Sequence, residues 1–200
     1  MFRLMRSACY TIIILVVALG MSVAGLLHGY HRLSAETLIA ELSFKQVAPY
    51  QYQVALATGD LCQPKWYSLY GDQWRLDAEF LKWKAWANIA GLDGRYRLDR
   101  LEGRYSDIDR QNQQQKLSYS LHESSGSTLK DFELMHSVLG MFVDTSYGSS
   151  TYQDIDTDRI YQVFKTQSGL INRNKSARMD RDEDGVVIIE INRSCPPVKE

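Results

Sequence analysis

The residues whose chemistry depends most on surroundings are Cys62 and Cys195. In an oxidising compartment such a pair is a disulfide candidate, and closing a loop of about 130 residues would stabilise by several kcal/mol in the chain-entropy view. Cys9 lies inside an apolar run and reads as a small buried hydrophobe; no C-x-x-C redox spacing occurs. Asp180, Asp182, Asp184 and Gly185 match the first half of a calcium loop, in which alternate carboxylates and a sixth-position glycine fold oxygens around a hard cation. The second half fails, because the twelfth position is Ile191 and Glu190 falls one residue early. A hairpin turned at Asp184-Gly185 accounts for the same residues without a metal. The histidines, His28, His31, His122 and His136, occur in no HExxH, and no GxSxG or glycine-rich phosphate loop accompanies them. No catalytic residue, cofactor site or metal site is assigned, and a non-enzymatic protein is the expectation.

A second constellation concerns membranes. Leu81 to Leu92 breaks strand alternation and mixes Lys82 and Lys84 with Trp83 and Trp86. Indole and lysine both suit the head-group layer, so these four residues are a candidate membrane-interface segment. The competing reading is a helical turn whose Trp86 and Ile89 complete a core. Tyr147, Tyr152 and Tyr161 are candidates to line a ligand groove, against the alternative that they are core or interface residues.

These residues need a chain that delivers and positions them. Between Arg6 and Arg32 there is no Asp, Glu, Lys or Arg. At about 1.5 Å per residue, a helix over Ala8–Leu27 spans roughly 30 Å, the hydrocarbon thickness. Arg3, Arg6 and the α-amino group precede the run and the next basic residue is Arg32, which predicts a cytoplasmic N-terminus and an exported remainder. A cleaved secretory signal, with Ser22-Val23-Ala24 as its small-x-small site, is the alternative. Apolar residues continuing through Leu26 and Leu27 favour a retained signal-anchor. A multi-span transporter is excluded by the single apolar run. With 23 basic and 24 acidic side chains, the net charge of −1 supplies no field for nucleic acid.

The exported part alternates with period two. Leu38 to Lys45, Tyr50 to Leu56, Trp66 to Tyr70, Trp74 to Phe80 and Tyr96 to Leu98 read as strands. Pro49 turns the first pair, and Gly71-Asp72 predicts a hairpin between the third and fourth. Loops are expected at 107–116 and 123–128 around a short strand at Ser118–Leu121. An amphipathic helix is expected over about Leu129–Phe142, and later strands at Ser149–Ile155, Arg159–Thr166 and Val186–Ile191. The fold class is therefore mainly β, an antiparallel sandwich or partly closed barrel with one or two short helices, preceded by one N-terminal transmembrane helix. The expected organisation is a cytoplasmic terminus (1–7), a membrane span (8–27), a juxtamembrane linker (28–36), the exported domain (37–172) and a tail with a possible hairpin (173–200).

The stretch YGDQWRLDAEFLKWKAWANIAGLDGRYRLDRLEGRY from Tyr70 to Tyr105, with SYGSSTYQ at Ser146–Gln153 and TQSGLI at Thr166–Ile171, resembles a family of small uncharacterised bacterial envelope proteins. Members carry one hydrophobic N-terminal segment and the labels "cation/multidrug efflux pump" or "multidrug transporter". The resemblance covers roughly residues 35–172 and implies a bacterial inner-membrane or periplasmic setting, without an activity that transfers to any residue. One span gives no polar path through lipid, so transport itself does not follow from the label; an accessory role in an efflux assembly would. The expectation is a membrane-anchored envelope domain that binds a protein partner or an amphipathic ligand, with no nucleic acid and no cofactor. An accessory of an efflux system, or an envelope enzyme with unidentified residues, stands as the alternative.

Overall fold

The computed structural model describes residues 2–121, 137, 140–176, 179–181 and 187–189. It opens with α1 (Phe2–Leu33), whose segment Tyr10–Leu33 is long and apolar enough to cross a membrane. Ile12, Leu15, Leu19 and Leu26 all project outwards from it, so apolar side chains surround the axis with no protein covering them. A helix of a water-soluble core would confine them to one buried stripe. The helix runs on through His28–Leu33, the stretch expected as linker, and ends where Ser34 donates both its N–H and its hydroxyl to the Tyr30 carbonyl.

Beyond it the chain is mainly β. In order come β1 (Thr37–Ala48), β2 (Gln51–Thr58), β3 (Lys65–Tyr70), β4 (Gln73–Trp83), the short helix α2 (Ala85–Ile89) and β5 (Arg95–Arg104). They are followed by α3 (Ile108–Gln113), β6 (Ser118–Ser120), β7 (Val143–Asp154), β8 (Arg159–Lys165) and β9 (Leu170–Ser176). Two antiparallel sheets result, ordered β3-β2-β1-β8-β9 and β6-β5-β4-β7, packed as a sandwich without barrel closure. The period-two alternation explains the packing: Leu42, Phe44, Val54, Leu56, Leu69, Tyr161 and Val163 from one sheet meet Trp74, Leu76, Phe80 and Leu101 from the other, all buried. Phe44, Trp74 and Tyr161 form an aromatic centre, with ring centroids 5.3 to 6.4 Å apart.

The predicted β3–β4 hairpin is not formed. Gly71-Asp72 instead carries the chain from one sheet to the other, since β3 belongs to the five-stranded sheet and β4 to the four-stranded one. The reason is a close backbone approach. Gly71 sits at φ +128, and a Cβ there would lie 2.0 Å from the Arg104 carbonyl oxygen; a Cβ on Gly103 would lie 2.2 Å from that of Tyr70. The two glycines let the end of β3 press onto the end of β5, which steers β4 into the opposite layer. The return crossing at 155–158 is tied to the first, because the Ile155 N–H donates to the Asp72 carbonyl at 2.8 Å.

Two other expectations change. The loop expected at 107–116 contains α3, started by Asp107, whose carboxylate accepts the Arg110 N–H at 2.8 Å. β9 was not anticipated. In the tail, β10 (Met179–Arg181) pairs antiparallel with β11 (Val187–Ile189), with Met179 opposite Ile189. Asp182, Asp184, Gly185 and Glu190 lie outside the described residues, as does most of the predicted helix 129–142, of which 140–142 form a turn.

Strand direction gives the sandwich two unlike ends. β1 leaves α1 and runs away from it, so the antiparallel register Ala48 opposite Gln51 and Ala40 opposite Thr58 puts the β1–β2 turn far from the helix. Both sheet crossings and α3 share that distal end. The end of β4, α2 and the β8–β9 turn lie at the proximal end, beside α1.

Candidate functional site

At the distal end, Tyr50, Tyr70, Tyr105, Arg110, Gln114 and Gln115 line an open groove of about 420 Å³. Three segments supply them: the β1–β2 turn, the end of β3 and the β5–β6 connection that contains α3. Pro49 fixes its own φ and forces a tight turn, in which Tyr50 takes a left-handed conformation, φ +59. For a bulky residue this costs about 1–2 kcal/mol, and the conformation is held by the Gly71 N–H donating to the Tyr50 carbonyl at 2.9 Å. The strain places the Tyr50 ring beside that of Tyr105, centroids 5.9 Å apart. Arg110, projected by α3, lies with its guanidinium 4.9 Å from the centre of the Tyr50 ring and donates to the Tyr50 hydroxyl.

Arg110 is the one charged side chain in the groove's lining, with the Asp72 and Asp107 carboxylates near enough to act on it. Arg110 forms no ion pair among the described residues, and its contact with the Tyr50 hydroxyl raises its already high pKa. Burial, followed by the nearby Asp72 carboxylate, pushes the Tyr105 hydroxyl up, so it remains a neutral donor. Asp72 itself is occupied, accepting from the Ser106 N–H at 2.7 Å and the Ser106 hydroxyl at 2.5 Å. What remains is a cation, phenol hydroxyls and amides that both donate and accept.

At the proximal end, the four residues of the Trp/Lys segment separate. Trp83 is buried with Leu81, Ala87 and Val143, and its indole N–H donates to the Asp93 carbonyl at 2.8 Å, so it faces the protein interior. Trp86 is 51% exposed and packs on Phe142, centroids 5.2 Å apart. Ile89 is also exposed, so neither completes the core as the helical-turn alternative expected; Ala87 and Asn88 are the buried residues of α2. Lys82 pairs with Asp144 at 3.4 Å, and Lys84 is exposed.

Cys62 follows β2 at this end and is disulfide-bonded. Its N–H donates to the Asp60 carboxylate at 3.0 Å. Cys195, its proposed partner, lies outside the described residues.

The three tyrosines proposed for a groove do not meet. Tyr161 is core, its hydroxyl donating to the Asp154 carbonyl at 2.6 Å. Tyr147 stacks on Phe80 inside the sandwich, while Tyr152 lies on the outer face beneath Arg104. No group of three or more His, Cys, Asp or Glu side chains that could hold a metal occurs among the described residues. The strongest carboxylate perturbation is structural. Asp77 is buried, which would raise its pKa, but hydrogen bonds from Arg75 at 2.7 Å and Ser150 at 2.6 Å outweigh that and hold it below the usual carboxylate range. It stands on the flat outer face of the four-stranded sheet, with Arg75 also reaching Glu102 at 3.1 Å.

The distal groove was missed in the sequence because its residues span positions 49–115. The available signal was a tyrosine at the ends of alternate strands: Tyr50 just after β1, Tyr70 at the end of β3 and Tyr105 just after β5. No protein family, curated protein or solved structure matches this chain.

Proposed function

We propose that this protein is a membrane-tethered binding module of the bacterial cell envelope, with α1 retained as a single-span anchor, the N-terminus cytoplasmic and the sandwich periplasmic. Retention is supported by the joint between helix and domain. Cleavage after Ala24 would leave Leu26 and Leu27, 74% and 64% exposed, on a stub still fixed to the domain through Arg32 and Asp93. In a retained anchor the same residues are covered by lipid.

The observation that carries the binding role is the distal groove, held open at the end farthest from the anchor by a strained tyrosine. A cation without a carboxylate partner, together with aromatic rings and paired amides, suits an anionic, hydroxyl-rich ligand such as an acidic envelope glycan. Arg110 meets a carboxylate bidentately, while Gln114 and Gln115 match vicinal hydroxyls. The test is titration of the full chain in nanodiscs with a tetrasaccharide of alternating N-acetylglucosamine and N-acetylmuramic acid. Saturable binding is expected, weakened roughly tenfold in Arg110→Ala by loss of a charge-assisted contact. Tyr50→Gly, which suits the positive φ, should weaken it without loss of folding. No binding, or binding equal in both variants, overturns the reading.

A further inference from the structure

The proximal end contains a second cavity, about 430 Å³, in the crook between anchor and domain, and it is lined by Leu33, Lys82, Lys84, Asn88, Asp144 and Gln167. Asn88 is only 3% exposed, and its side-chain oxygen has no hydrogen-bond partner. Its orientation is fixed, because Nδ2 donates to Gln167 Oε1 at 2.7 Å and the Gln167 amide in turn donates to the Arg32 carbonyl at 3.4 Å. A buried acceptor without a donor is costly, and because this oxygen exposes less than 1 Å², a donor from outside the chain reaches it only as the Asn88 side chain and its cover shift on binding. Beside it stand the Asp144 carboxylate and two ammonium groups, Lys82 bridged to Asp144 and Lys84 in no ion pair among the described residues. The wall thus offers an acceptor side and a cationic side within one head-group-sized space.

Position along the anchor decides the occupant. Gly29 is buried beneath α2, with Ile89 Cδ1 3.9 Å from where its Cβ would be. Gly29 lies two positions past Leu27, roughly 3 Å along the axis, and Leu33 roughly 9 Å, which spans the head-group layer. Trp86, Ile89 and Leu92 are exposed apolar residues at the same level. We infer that this cavity binds the head group of a phospholipid carrying both a phosphate and a primary ammonium, of the phosphoethanolamine type. The phosphate takes Lys84 and Lys82, and the ammonium donates to Asn88 Oδ1 and Asp144. The acyl chains descend past Trp86 and Ile89 into the bilayer.

The inference rests on α1 lying in the membrane, and the two can fail separately. Full-length protein is extracted from vesicles containing equal phosphatidylethanolamine, phosphatidylglycerol and phosphatidylcholine, and co-purifying lipid is read by native mass spectrometry. Phosphatidylethanolamine should be retained roughly tenfold over phosphatidylcholine, which lacks a head-group donor. Asn88→Leu, of similar volume, and the exposed Lys84→Gln should each reduce that preference, with unchanged circular dichroism. Equal retention of the three lipids overturns the head-group site, as does a preference unchanged in both variants. Retention of phosphatidylglycerol instead shows an acceptor satisfied by a hydroxyl and overturns the ammonium assignment. Release of the protein from vesicles by alkaline carbonate overturns the anchor, whatever the lipid result.

Discussion

The two ends of the sandwich are built from the same strands and solve different problems. The distal end carries both sheet crossings, so backbone segments of opposite layers press together there, and glycine at 71 and 103 is what permits it. The proximal end carries no crossing. Its packing is a small side-chain cluster, Leu81, Trp83, Ala87 and Val143, set against the end of a helix. One end is therefore specified by backbone conformation and the other by side-chain volume, and substitutions should separate them.

The largest effect is expected at the distal crossing. Gly71→Ala combines an unfavourable φ with a Cβ that would meet backbone at 2.0 Å, and should destabilise by about 4 kcal/mol or more, read by urea unfolding in micelles. Gly91, at the proximal end, has φ +113 but open space around its missing Cβ, so Gly91→Ala should cost only the backbone strain, about 1–3 kcal/mol. Equal losses at the two glycines would erase the distinction. Next comes Trp83→Ala, which empties the proximal cluster and should cost about 3–5 kcal/mol, against a change within about 0.5 kcal/mol for Trp86→Ala in detergent.

Between the ends, the ion-pair network on the outer sheet face gives the fold a pH dependence. Because the Asp77 pKa is lowered on folding, its contribution is fully present above the unfolded value near 3.8 and is lost as pH falls through the depressed folded value. Asp77→Asn should lose about 1.5–3 kcal/mol at pH 7 and show a flatter stability profile between about pH 5 and 2, measured by thermal denaturation. A profile as steep as that of the unsubstituted protein would place the acid sensitivity elsewhere.

The same contrast explains what was legible in the sequence. β1 and β2 are read directly, since alternation and Pro49 are local signals. Gly71-Asp72 looks like a hairpin turn, because the feature that makes it a crossing, the approach of Gly103, is distant in sequence. β9 was missed because LINRNKS has no sustained alternation, as befits an edge strand half facing water. Tyr147 and Tyr152 were separable beforehand: five residues apart on one strand, they point to opposite faces. The distal groove was not, as it requires knowing which strand ends coincide. At the proximal end, the composition of Lys82–Trp86 does not separate the inward Trp83 from the outward Trp86; only packing does.

The smallest effect concerns the joint between anchor and domain. Arg32 and Asp93 approach to 2.9 Å, yet the Asp93 side chain is more than half exposed, and an ion pair in such surroundings contributes about 0.2–1 kcal/mol. A double-mutant cycle on Arg32→Ala and Asp93→Ala should return a coupling in that range that shrinks at high salt. At Gly29, which is buried beside α2, a Cβ would meet only the tip of Ile89 at an ordinary 3.9 Å, so alanine fits there whereas a side chain as large as leucine would have to displace α2. Gly29→Leu should therefore loosen the domain relative to the helix while leaving sandwich stability unchanged, measured as faster amide exchange confined to α2 and the β8–β9 turn. If removing the ion pair loosens the same amides as much as Gly29→Leu does, charge and not side-chain volume holds the proximal end in place.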